Sequence, residues 1–159
     1  MPVDSYQRLN LAHRVLDLTS LGLPDSSYSF ESGRELVYRM ELSPTAASRM
    51  YTCVLHVPPG AKSPQFLVVE PDLIALAGGR KLPHVYPFEG KGVSLCLWRP
   101  KNREWDPSMR LSETFVPWAL RWLLYFEDWL KSDEWAGGGE HPDAARRTYG
   151  IRAKKKGKR

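Results

Sequence analysis

Trp118, Trp122, Tyr125, Phe126 and Trp129 fall at i, i+4, i+7, i+8 and i+11, the spacing of one face of an α-helix, within an apolar run from Phe115 to Leu130. Ser112 or Thr114 can start this helix, and Pro117 sits in its first turn, where a missing amide costs no intrahelical bond. Arg121, Asp128 and Lys131 leave only a narrow polar side. A helix this apolar persists in water only when other elements cover most of it, so the rest of the chain must supply a broad apolar surface. Trp118, Trp122 and Trp129 are read as core residues, with a partner groove as the minority alternative.

The surface it needs reads as a sheet. Glu35 to Leu42 and Met50 to Val57 alternate as strands, the second with Tyr51, Cys53, Leu55 and Val57 on one face, and Pro44 to Ser48 is their turn. Pro58, Pro59, Gly60 and Pro64 precede a third apolar run, Phe66 to Val69, which Pro71 ends. Three strands with short connections predict an antiparallel meander. Before it, Asp4 can cap a helix to about Thr19 with Leu9, Ala12, Val15, Leu16 and Leu18 as its apolar stripe, and a polar loop follows. After it, Leu73 to His84 reads as irregular, interrupted by Gly78, Gly79 and Pro83, and Ser94 to Trp98 is a last short apolar piece.

One domain suits 159 residues. The net charge of +5 is local: residues 144–159 hold eight Lys or Arg and no acid, so residues 1–143 carry 15 basic against 18 acidic side chains. A basic tail on a mildly acidic domain argues against a nucleic-acid-binding face, which would spread its cations over folded surface. The expected division is a domain over residues 1–143 and a solvated tail over 144–159. Removing everything after Asp143 should therefore leave the melting temperature nearly unchanged, and a large fall in a thermal melt would show that the tail packs. The N-terminus has neither the basic start nor the apolar run of a signal peptide, and no stretch approaches the roughly 20 apolar residues of a membrane span, so a cytoplasmic location is expected.

Two cysteines are too few for a disulfide framework and lack zinc-site spacing, so either acts as a free thiol if it acts at all. Cys53 sits on an alternating apolar face and reads as core. Cys96, in Val93-Ser94-Leu95-Cys96-Leu97-Trp98, is by itself more often a buried small hydrophobe than a nucleophile. His84 could bond the loop leading to Cys96 or act as a base. His13 and His56 carry no signal, and His141 follows a glycine triplet that lacks the lysine and helix of a phosphate loop. No metal or cofactor is expected.

His84-Val85-Tyr86-Pro87, Ser94 through Trp98, Trp105, Pro117-Trp118, Trp122-Leu123, Tyr125 through Trp129 and Trp135 through His141 form a set. Together they resemble bacterial ubiquitin-conjugating-like proteins, in particular the stand-alone conjugating proteins of some anti-phage cyclic-oligonucleotide signalling (CBASS) operons. The resemblance covers roughly residues 35–142, and the Cys segment with the Trp-rich helix is its most specific part. It implies an α+β, ubiquitin-conjugating-like fold: N-terminal helix, antiparallel meander, irregular Cys-bearing segment, Trp-rich C-terminal helix.

The same resemblance implies that Cys96 is an acyl-accepting thiol and that His84 matches the first residue of the family's His-Pro-Asn motif. Val85 and Tyr86 depart from that motif, which leaves the oxyanion to other donors, backbone amides near Cys96 being candidates. The implied donor is the C-terminal carboxyl of the operon's nucleotidyltransferase, a cyclic-oligonucleotide synthase, and the implied acceptors are lysines of unspecified targets. The effect would be regulation of that synthase. Two other readings stand beside it: a catalytically silent module that docks the synthase, and a nucleic-acid binder working through its basic tail with strong salt dependence.

Overall fold

A computed structural model of the protein describes residues 9–32 and 34–138. The first helix, α1, spans Leu11–Thr19, and its N-cap is Asn10, whose side-chain oxygen accepts the amide of His13 at 2.9 Å. Asp4, expected as the cap, lies outside the described residues. On the inner side of α1, Arg14 is buried and its guanidinium donates to the carbonyls of Met109 and of Pro107, the latter at 2.8 Å. Burial lowers its pKa, and the nearby Asp17 and Asp106 oppose that shift. Asp17 in turn accepts the backbone amide of Ser112 at 3.0 Å. These contacts fasten the chain just ahead of the C-terminal helix.

Six strands form one sheet: β1 (Ser27–Glu31), β2 (Glu35–Leu42), β3 (Tyr51–Val57), β4 (Gln65–Glu70), β5 (Val85–Tyr86) and β6 (Val93–Leu95). Their order is β1-β2-β3-β4-β6-β5, with every pairing antiparallel. The expected meander is β2 to β4. In β2 the alternate residues Leu36, Tyr38, Met40 and Leu42 are buried, and the register sets Met40 opposite Cys53 and Cys53 opposite Val68. Cys53 is therefore at the centre of the sheet, fully buried, and burial pushes its thiol pKa far above the ordinary range.

The sheet is wider than the alternation predicts. Residues 27–31, read as polar loop, form β1, every residue of which is exposed although Tyr28 and Phe30 alternate with polar residues. Pairing with β2 supplies its backbone bonds, and the Tyr28 ring stacks on Tyr38 with centroids 6.4 Å apart. A second correction concerns the segment after β4, where a short helix α2, Leu73–Ala77, replaces expected irregular chain. Asp72 caps it by accepting the amides of Ile74 and Ala75 at 3.0 and 3.1 Å. The chain then reaches the far edge as β5 and returns as β6 between β5 and β4. Gly92 makes this return possible: its φ is +111°, and a Cβ there would lie 2.8 Å from the Val68 carbonyl oxygen.

The Trp-rich helix, α3, spans Phe115–Ser132, two residues beyond the predicted end. Thr114 holds the N-cap position, but its hydroxyl turns back to the carbonyl of Arg110 at 2.8 Å, while Ser112 belongs to Asp17. Phe115, Ala119, Trp122, Leu123, Phe126 and Trp129 are buried and join the inner residues of β2, β3 and β4 in one core. Two polar ties set the helix on the sheet. Near its middle Glu127 accepts the hydroxyls of Ser48 and Tyr51 at 2.7 and 2.9 Å. At its end Arg80 donates to the carbonyls of Trp129 and Leu130, pairs with Asp133 at 3.1 Å and lies 4.4 Å from the Trp129 ring centroid, satisfying a C-terminus otherwise short of donors. Arg80 thereby anchors the segment that runs into β5. Among the described residues no helix is long and apolar enough to cross a membrane. The expected domain boundary at Asp143 and the basic tail lie outside the described residues.

Candidate functional site

β5 and β6 are short, yet they decide where Cys96 sits. Val85 pairs with Leu95 and Tyr86 with Ser94, so the next step of the ladder brings Cys96 opposite His84. The Cys96 amide donates to the His84 carbonyl at 3.0 Å, and the same carbonyl accepts the Trp122 indole N–H at 3.1 Å. One oxygen thus joins the cysteine segment to α3. His84 itself has a φ of +51°, in the left-handed region that His visits more readily than most residues. It is buried, with its ring centroid 5.2 Å from that of Trp135. The two residues singled out in the sequence as site candidates are neighbours, and His84 acts on Cys96 through its backbone oxygen.

Cys96 is half-buried, unlike Cys53, and its sulfur lies 3.9 Å from the Trp98 carbonyl oxygen. On the strand, Tyr86 is diagonal to Cys96, a separation long side chains bridge. Burial, and after it the nearby Cys96 thiol, raises the Tyr86 pKa well above its ordinary value. The position where the resemblance expects Asn is therefore filled by a tyrosine whose phenol lies near the thiol.

Away from Tyr86 the thiol faces a groove of about 530 Å³. Cys96, Leu97 and Trp98 from the segment after β6 line it, with His84, Trp118, Arg121, Trp122 and Tyr125, Trp135 beyond α3, and Arg99, Asn102 and Glu104 at the other end. The Trp135 ring packs against Trp122 and Tyr125 at 5.4 and 5.8 Å between centroids, which builds one aromatic wall. Trp118 corrects an expectation: it is half-exposed and lines the groove, whereas Trp122 and Trp129 are buried as predicted. A side chain large enough for the core ends up on a wall of the groove. Tyr86, Arg99 and Arg121 have no marker in the sequence as site residues; only the strand register and the helix position bring them there. His56 pairs with Glu35 at 3.2 Å and is remote from the groove lining, and His141 lies outside the described residues.

This arrangement predicts very unequal thiols. A small alkylating reagent applied to the native protein should label Cys96 about 100-fold or more faster than Cys53, which must wait for the sheet to open. Peptide mapping after brief labelling checks this, and equal rates at both positions would contradict the assignment of Cys96 as the accessible thiol.

The family model described as "Type II CBASS E2 protein" matches residues 16–142, a span that contains the sheet, the Cys96 groove and α3. No curated protein matches the chain.

Proposed function

The chain belongs to the Type II CBASS E2 family, and from that premise we propose that it is a conjugating-type carrier that takes a partner's C-terminal carboxyl as a thioester on Cys96. The observation that carries this reading is the placement of Cys96: a half-exposed thiol on the wall of an aromatic groove, held by its own amide on the His84 carbonyl. A fixed, reachable sulfur is what thioester formation requires, whereas a structural cysteine would be closed off as Cys53 is.

The chemistry follows from the groups present. The Cys96 thiolate attacks the carbonyl carbon of a carboxyl already activated elsewhere, the C–S bond forms, and the activating group leaves with the electron pair. An amine then attacks the thioester, an amide forms, and sulfur leaves as the thiolate. In both steps negative charge gathers on the carbonyl oxygen, and the nearby Tyr86 hydroxyl is the side-chain donor proposed to meet it. The carboxyl donor is proposed to be the nucleotidyltransferase of the same operon, and the outcome regulation of that synthase in anti-phage defence.

Co-expression with the neighbouring synthase and an ATP-dependent carboxyl-activating enzyme tests the proposal. Intact mass should reveal an adduct equal to the two proteins less one water, removed by added thiol. If the two proteins instead co-purify with no covalent species, the silent docking module is the correct reading.

A further inference from the structure

The cations of the groove have no counter-ions. Arg99 is half-buried and Arg121 exposed, both line the groove that holds Cys96, and neither makes an ion pair among the described residues. Lys101 and Arg103, in the same 99–103 turn, are exposed. Among the described residues of this lining the carboxylate is Glu104, and it is already occupied: it accepts the Arg99 backbone amide at 2.9 Å and faces the Asn102 side-chain amide at 3.5 Å. Over residues 1–143 acids exceed bases by three, so this basic groove stands out against an acidic domain.

A guanidinium that lines a groove with no carboxylate paired to it is free to take one from a ligand. The aromatic wall of Trp118, Tyr125 and Trp135 gives the same groove apolar faces suited to side chains of an extended peptide. We infer that the groove selects an acidic C-terminal tail: Asp or Glu side chains a few residues before the terminus pair with Arg99 and Arg121 and so bring the terminal carbonyl to Cys96. This rests on the thioester reading of Cys96, which calls for a protein carboxyl here. An excess of acid over the whole domain disfavours the other polyanion, a nucleic acid strand.

The test uses the full chain as Cys96→Ala, so that only binding is read, with fluorescent short peptides that end in a free carboxyl and carry either Asp and Glu or their Asn and Gln isosteres upstream. The acidic peptide should bind about tenfold more tightly at low salt, with the gap closing as salt rises. The double variant Arg99→Gln, Arg121→Gln should erase the gap while leaving the melting temperature and the affinity for the neutral peptide unchanged. Equal affinities, a gap that survives the double substitution, or tighter binding of a single-stranded oligonucleotide of equal charge would each overturn the inference. A separate arm follows adduct formation by the unsubstituted protein, with an ATP-dependent carboxyl-activating enzyme present, on partners bearing acidic or neutral tails. Equal loading of both refutes the tail selection and keeps the thioester, whereas charge-selective binding with no adduct from any tail refutes the thioester and keeps the selection.

Discussion

Cys96→Ala is expected to abolish the adduct with the partner synthase completely, with little change in stability. Among the described residues the variant removes the one sulfur that lines the groove, and the other thiol cannot replace it: Cys53 is closed inside the sheet and burial raises its thiol pKa. Cys96 is half-buried, so its truncation leaves no core cavity and the melting temperature should stay within a few degrees. Cys96→Ser should convert the thiol-labile species to a thiol-resistant ester, because an oxygen ester exchanges poorly with added thiols. That change of lability separates a thioester from a disulfide, which the Ser variant cannot form. Cys53→Ala serves as the control and should keep the adduct. Intact mass with and without thiol reads all three variants, and an adduct retained by Cys96→Ala would end the conjugating reading and leave the docking module.

Phe126→Ala carries the largest stability effect we expect. Phe126 is fully buried at the middle of α3, stacked on Trp122 at 5.5 Å and tilted against Trp129 at 6.1 Å. Its removal should cost about 3–5 kcal/mol, the sum of lost transfer energy and an unfilled cavity between helix and sheet. For a domain of this size that is a fall of roughly 10 °C in melting temperature. The consequence reaches the site, because Trp122 loses its stacking partner and Trp122 shares the His84 carbonyl with Cys96. Reactivity of Cys96 toward a small alkylating reagent should therefore change in Phe126→Ala under conditions where the variant remains folded. A variant that melts within a degree or two of the parent would mean that α3 is not packed as described.

Cys53 and Cys96 illustrate what was legible in the residues alone. Alternation around Cys53 assigned it to a buried strand face, and a strand face is a local property that neighbours at i±2 reveal. Cys96 has no such marker: three residues of strand precede it, and their burial is set by β4 on one side and β5 on the other. Its candidacy came from resemblance, and its accessibility from the fold. β1 was missed because its alternation is only two aromatic residues long, Tyr28 and Phe30, and all five of its residues are exposed on an edge held by backbone pairing and the Tyr28–Tyr38 stack. The cap of α2 was within reach of sequence reasoning, as Asp72 stands one residue before the helix, but five residues hold too little period to be noticed.

By itself the sequence determined the central meander, the long aromatic helix and the burial of Cys53, because each rests on a hydrophobic period repeated over several residues and satisfied by covering one face. Tertiary structure alone decided which face of the aromatic helix closes the core and which lines the groove, so that Trp122 is buried and Trp118 is a groove wall. It also decided the company of Cys96. The register of two short strands fixes His84 and Tyr86 beside the thiol, and the position of α3 brings Arg121 to a groove that Arg99 shares from a segment more than twenty residues away in the chain. No spacing rule encodes such a meeting, since it depends on where separate elements stop and not on how any one of them repeats.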